Sequence, residues 1–300
     1  MDKIPENYID FLYWVKERTE SFWSKDPETS QEDFVCDDWI YGAKWTGLTD
    51  EEISSIECKY SIEFTPEHKD FLRILHTIDR YEKIEYTETF DEDAEVLVEE
   101  IPFFYNWKKD EKEITEKLIW PYKTILEDVL GVNQVWLESW GKKPISDIEK
   151  EKIFSDWFQK TPKLIPIKSH RFIISDKNLK FRPVLSVYGS DIIVYGWDLR
   201  SYILNELKDE LGLIELLYDE EDKEWYTETK KQLREIFEKD YKFNEEKDIP
   251  YWKEMILIWN SGWSSFGLKW PDEDDSIIQP ILKTFTSENE EIKQKRFKQY

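Results

Sequence analysis

Hydrophobic positions along the chain change period several times, and each change marks an element. From Tyr8 to Trp23 the apolar residues Tyr8, Phe11, Leu12, Val15 and Phe22 recur at helical spacing, which predicts an amphipathic helix. The polar stretch Ser24 to Gln31 then reads as a loop. Thr49 followed by Glu52 has the spacing of a capping box and predicts a short helix through Ile53 and Ile56 that ends near Ser61. Thr65 caps the next one. Pro66 takes its first position, where a missing N–H costs nothing, and Phe71, Leu72, Leu75 and Ile78 form its apolar stripe.

Between Tyr81 and Trp107 the period shortens to alternation, with Ile84 and Tyr86 before the Asp91-Glu92-Asp93 run and Val96, Val98 and Ile101 after it, so a hairpin is expected. Asp110 and Glu113 open a helix that Pro121 should interrupt before Gly131 stops it. Trp136, Glu138 and Trp140 alternate as a short strand would. Ser146 and Glu149 suggest a second capping box, for a helix that Pro162 ends. Strands are expected over Leu164 to Ile174, Pro183 to Val187 and Ile192 to Tyr195, the last two joined by a tight Tyr188-Gly189-Ser190 turn. Asp198 then caps a helix containing Tyr202, Ile203 and Leu207. Beyond Gly212 the pattern predicts helices, from Thr227 to Lys239 and from Tyr251 to Trp259, with fraying at the end of the chain. Together these elements predict an α+β fold in which a mostly antiparallel sheet of about four to six strands packs with helices.

Several of these stretches, in this order, resemble the SUKH superfamily, which unites fungal cell-wall-synthesis regulators of the Smi and Knr type with bacterial immunity proteins. They are Gly47 to Tyr60 with Ile62 to Leu72, Trp136 to Trp140 with Gly141, Leu164-Ile165-Pro166-Ile167, Ser169-His170-Arg171-Phe172, and Pro183 to Gly196. The resemblance implies a SUKH-like core over residues 45–210, a helical N-terminal extension over 1–44 and a helix-rich C-terminal extension over 211–300 packed on that core. It implies a binding scaffold with no catalytic residues and no cofactor. The bacterial members neutralise a cognate toxin, often a nuclease, by covering its active surface; the fungal members suggest a regulatory scaffold instead. Residues of the matching region expected to meet the partner are Asp191, Trp197, Asp198, Glu138 and Trp140. His170, beside Arg171, is expected either in a buried polar network or at the partner.

Charge adds a constraint. The formal net charge is −24, and acidic residues outnumber basic ones in the first and last thirds of the chain but not in the middle. Such a balance repels phosphate backbones and anionic lipid surfaces, so neither nucleic acid nor membrane is an expected partner. It would steer a basic protein domain, as nuclease toxins tend to be, toward the chain. The opening residues Met1 to Glu6 lack a basic start followed by an apolar run, and Cys36 and Cys58 are too few for a disulfide framework, so a reducing, cytoplasmic setting is expected.

Catalytic chemistry finds little purchase. The three histidines, His68, His76 and His170, offer no pair at i, i+4 spacing, and neither cysteine has a sequence neighbour that would lower its pKa. Gly-x-Ser-x-Gly and phosphate-cradling glycine loops are absent. The runs Asp91-Glu92-Asp93, Asp219-Glu220-Glu221-Asp222 and Asp272-Glu273-Asp274-Asp275 lack the alternating ligands and central glycine of a calcium loop and read as solvated or partner-facing surface. An acid/base hydrolase stays open only because 66 acidic residues supply any number of carboxylate pairs. The 15 tryptophans fall at core spacing, as Trp14, Trp157 and Trp259 do, more than at the spacing of a carbohydrate groove.

Overall fold

The computed structural model describes residues 3–32, 34–87, 95–131, 133 and 135–268. The fold is α+β, about 41% helical and 20% strand. The chain forms two compact units. The first comprises the described part of Met1–Leu118 with Lys163–Leu185 and Tyr195–Asp240; the second comprises Ile119–Pro162, Ser186–Val194 and the described residues from Tyr241 on.

In the first unit α1 (Tyr8–Trp23) begins at Asn7, whose side chain accepts from the backbone N–H groups of Ile9 and Asp10, and it buries Phe11, Leu12, Val15 and Trp23. The short strand β1 (Trp45–Thr46) leads into α2 (Asp50–Tyr60), where the Thr49/Glu52 capping box forms as the spacing predicts. Next comes α3 (Pro66–Leu75), and then β2 (Thr77–Ile78) pairs back with β1. The expected hairpin is β3 (Glu82–Thr87) against β4 (Val96–Ile101); the acidic run Asp91-Glu92-Asp93 between them lies outside the described residues. One continuous apolar cluster runs from Ile4 to Leu233 and gathers Trp23, Trp45, Phe71, Phe103, Phe104 and Tyr202.

Helix α4 (Glu111–Leu130) is continuous, with Pro121 inside it, so the expected interruption does not occur. A proline there forfeits a hydrogen bond worth part of about 3 kcal/mol. The complete burial of Ile114 before it and of Ile125 and Val129 after it offsets that cost. The alternating Trp136 to Trp140 stretch is no strand: Glu138–Trp140 forms a 3₁₀ turn ended by Gly141 at φ +75°. Ser146 does precede α5 (Asp147–Phe158), but its side chain makes no capping bond. In the second unit Phe154 and Trp157 of α5 pack with Trp140 and Trp252, at ring separations from 5.4 to 6.0 Å.

The stretch expected as one strand from Leu164 to Ile174 is two, β5 (Lys163–Lys168) and β6 (Arg171–Ser175), turning at Ser169 with φ +48°. With β7 (Val184–Tyr188) and β8 (Asp191–Gly196) they form a four-stranded sheet in the order β5-β6-β7-β8. Gly189 at φ +61° takes the first position of the two-residue turn between β7 and β8, where a side chain would be strained. Asp198 caps α6 (Leu199–Glu206) as predicted.

The largest departure from expectation comes next. Residues 214–229 form a hairpin, β9 (Ile214–Asp219) against β10 (Glu224–Thr229), and the helix expected from Thr227 starts only at α7 (Lys231–Asp240). In the second unit the expected Tyr251 to Trp259 helix is the shorter α8 (Trp252–Ile256) followed by 3₁₀ turns. The acidic run Asp272 to Asp275 and the final residues expected to fray lie outside the described residues.

Candidate functional site

The β9–β10 hairpin concentrates features that sequence patterns had scattered. Its register sets Trp225 opposite Tyr218, Thr227 opposite Leu216 and Thr229 opposite Ile214. Directly opposed residues share a face, so Ile214, Leu216, Tyr218 and Trp225 line up on one side. At the base Ile214 is buried, and the Lys230 backbone N–H donates to the Leu213 carbonyl at 2.8 Å. Toward the tip, Tyr218 and Trp225 are 42% and 65% exposed with ring centroids 5.1 Å apart.

Carboxylates crowd the turn that follows. The Asp219 side chain accepts from the backbone N–H groups of Glu221 (2.7 Å) and Asp222 (3.1 Å), which closes the turn, and Lys223 completes it at φ +56°. Glu220, Glu221, Asp222 and Glu224 are exposed. The result is an exposed cross-strand aromatic pair, its rings tilted at 56° to one another, next to a turn rich in carboxylates. Trp and Tyr in such a setting expose large rigid area at little entropic cost, the composition of binding hot spots.

Beside the base of this hairpin, within the same unit, lies a cleft of about 800 Å³ between the C-terminal half of α1 and β9. Phe22, Phe34, Leu211 and Leu216 supply its apolar lining, and Glu17, Asp209, Glu210 and Glu215 its carboxylates. Burial is the main reason the Glu210 carboxyl is pushed up to about 7, with Asp209 and Glu206 adding repulsion.

The six residues expected at the partner do not form one site. Glu138, Trp140 and Asp191 belong to the second unit, and His170, Trp197 and Asp198 to the first. Trp197 is only 5% exposed and meets Phe181 edge-on at 5.8 Å. Asp198 accepts the Ser201 backbone N–H at 2.6 Å, which is its capping task on α6. Asp191 is exposed and accepts from the Ser261 hydroxyl at 2.5 Å. Trp140 is half-buried among Trp136, Phe154 and Trp157, and its indole nitrogen, like one Glu138 carboxylate oxygen, is buried without a hydrogen-bond partner. His170 is half-buried in the β5–β6 turn with Nδ1 3.1 Å from the Ser169 hydroxyl, and burial lowers its pKa.

The remaining titratable groups serve the interior. His68 and His76 are buried, and desolvation holds them down to about 3 and about 4, so both are neutral near pH 7. His76 Nε2 accepts the Trp107 backbone N–H at 2.9 Å. Burial pushes the Cys36 thiol up, whereas Cys58 is exposed. No group of three metal-ligating side chains occurs among the described residues, nor is any described helix long and apolar enough to cross a membrane.

Tyr218 and Trp225 were missed because residues beyond 212 read as helical. The signal available was the alternation Trp225, Thr227, Thr229 across the Asp219 to Asp222 run, a β-rich pattern around a turn-forming cluster. No family model matches the chain, and no curated protein or solved structure matches it either.

Proposed function

We propose that this chain is a non-catalytic protein-binding protein of the immunity type, which neutralises a basic toxin domain by covering its active surface. The observation that carries this reading is the exposed Tyr218–Trp225 pair, set as neighbours across the β9–β10 hairpin beside an acidic turn. Carboxylates steer a cationic partner and the aromatic rings anchor it once docked. The ordered resemblance of residues 47–72, 136–141, 164–172 and 183–196 to the SUKH superfamily supports the same class of function. The six residues of that region remain candidate contacts, with exposed Asp191 the best placed among them. A regulatory scaffold of the Smi and Knr type keeps the same binding surface and differs in the partner.

The test is capture of the partner with the tagged protein from its own cells, followed by affinity measurement on the recovered protein. Truncating Trp225 and Tyr218 together to Ala should weaken binding by about 30-fold or more, the scale of a hot-spot loss. Converting Asp219, Glu220, Glu221 and Asp222 to their amides should slow association and flatten its salt dependence while leaving dissociation little changed. A partner whose affinity ignores Trp225 would remove the hairpin from the interface. A partner that is not a toxin, with the hairpin still required, would favour the regulatory reading.

A further inference from the structure

We infer that the cleft beside the β9–β10 hairpin is a socket for an arginine or lysine side chain presented by the partner. This inference rests on the binding reading above and names the chemistry the partner must bring to one place on it.

Shape comes first. About 800 Å³ is ample for one long side chain and its flanking backbone. Phe22, Phe34, Leu211, Ile214 and Leu216 offer the apolar contact that an alkyl stem seeks, while charged groups lie where the head would end.

Charge is the second observation, and it is unbalanced. The cations in the lining are already engaged. Lys25 pairs with Glu32, Lys230 Nζ donates to the Gly212 carbonyl at 2.9 Å, and the Arg18 guanidinium lies 5.1 Å from the centre of the Trp14 ring. With Lys25 set against Glu32, the remaining carboxylates Glu17, Asp209, Glu210 and Glu215 outnumber the remaining cations Arg18 and Lys230 four to two. Glu210 is the most telling. It is partly buried and its carboxylate turns back on its own backbone N–H. The cation closest in effect is Lys168, which is already shared by Glu82 at 3.2 Å and Glu206 at 3.4 Å. A carboxylate desolvated beside like charges favours its protonated form, and an incoming cation would restore the ionised one. An anionic ligand would meet that same negative wall, and a bare metal ion would find no group of three donors among the described residues.

A signature follows that a merely acidic surface would not give. Because Glu210 titrates near 7, the cation should bind its ionised form and release a proton on binding. Affinity should therefore rise with pH and level off above the pKa. The groups facing Glu210 are Asp209 beside it, Glu206 on α6 and Lys168 on β5, with Glu17, Arg18 and Lys25 across the cleft and Glu215 and Lys230 at the hairpin base.

The experiment titrates the full-length protein with N-acetyl-argininamide while its backbone amide resonances are followed by NMR, with the neutral citrulline analogue as control. Saturable shifts should appear at Phe22, Gly212 and Leu216 for the arginine probe alone. Its affinity should fall about tenfold from pH ~8 to pH ~6, as the ionised fraction of a group titrating at 7 does. Glu210→Gln should weaken binding and erase that step. Should that variant unfold, Glu17→Gln, at an exposed rim position, should weaken binding and keep the step. No saturable shift, equal response to citrulline, or a pH-independent affinity would overturn the socket. Such a failure would leave the Trp225 dependence of partner binding standing. Conversely, arginine binding with partner affinity indifferent to Trp225 would sink the docking reading and spare the socket.

Discussion

Each of the two units buries a carboxylate, and each holds it differently. In the second, Asp128 on α4 is 7% exposed and accepts the Ser190 backbone N–H and hydroxyl, both at 2.7 Å, and the Asn133 side-chain amide at 2.9 Å. The Ser190 hydroxyl in turn accepts the Trp259 indole N–H at 2.9 Å, so the acceptor chain ends on a fixed ring. In the first, Asp110 is 3% exposed but accepts only from the Asn106 backbone N–H at 2.7 Å and from the Tyr81 hydroxyl at 2.8 Å, and Tyr81 is itself 38% exposed. Burial raises the Asp110 carboxyl above its usual range despite those two donors. The contrast teaches that depth alone does not decide whether a buried charge is at ease; the number and rigidity of committed donors do.

The sharpest way to break this comparison is to delete both acids. Asp128→Ala strands the buried Ser190 backbone N–H and hydroxyl, while the exposed Asn133 amide can turn to water, and should cost about 3 kcal/mol. Asp110→Ala strands one backbone N–H, since water can reach the Tyr81 hydroxyl, and should cost about 1.5 kcal/mol. Urea unfolding midpoints read the difference, and equal losses would refute the donor argument. Next in size is Gly189→Ala. Its Cβ would stand 2.4 Å from an Asp128 carboxylate oxygen at φ +61°, and about 2 kcal/mol of strain is expected. Combined with Asp128→Ala the two losses should fall short of additivity, because removing the carboxylate removes the clash.

The remaining effect is a pH dependence confined to the first unit, where all three histidines lie. His68 and His76 stay neutral when folded down to about 3 and about 4 but would take up protons near 6.5 when unfolded. Their stability is thus fully present above about pH 6.5 and is lost as pH falls toward 4, at up to about 1.4 kcal/mol per pH unit for each. Glu210 opposes them, since its folded pKa near 7 lies above its unfolded one and acidification stabilises that group. Two groups outweigh one, so hydrogen exchange should show first-unit segments loosening first between pH ~6 and pH ~4.5. Loss of protection first in the second unit would contradict this.

Elements written in local chemistry were legible. The Tyr8 to Trp23 helix, the Thr49/Glu52 box, Pro66 at a helix start and the Gly189 turn each need only neighbours in sequence, and all stand where the pattern puts them. Tertiary context decided the rest. Pro121 sits inside α4 because apolar residues anchor the helix on both sides of it, and Trp136 to Trp140 curls into a turn because the Trp140 ring packs against Trp157. The hairpin of 214–229 was hidden by its charge: Glu215, Glu228 and Lys230 dilute the β pattern that its cross-strand aromatic pair stabilises. The acidic run at 219–222 was visible, but its company was not, because cross-strand register cannot be read from a segment assigned to helix. Of the six expected contacts, Trp197 is buried against Phe181 and Asp198, though exposed, caps α6, which spacing alone does not reveal.

The first unit's apolar cluster runs from Ile4 to Leu233 and takes in Leu211 and Leu213 on the way. During synthesis, a ribosome that had released only the first two hundred residues would hold a chain whose interior lacked its closing side chains. Early folding is therefore limited to local pieces such as α1 to α3, and the unit completes itself late, over contacts distant in sequence. A chain halted near residue 210 would expose the faces that Leu211, Leu213 and Leu233 cover, and would be a substrate for chaperones.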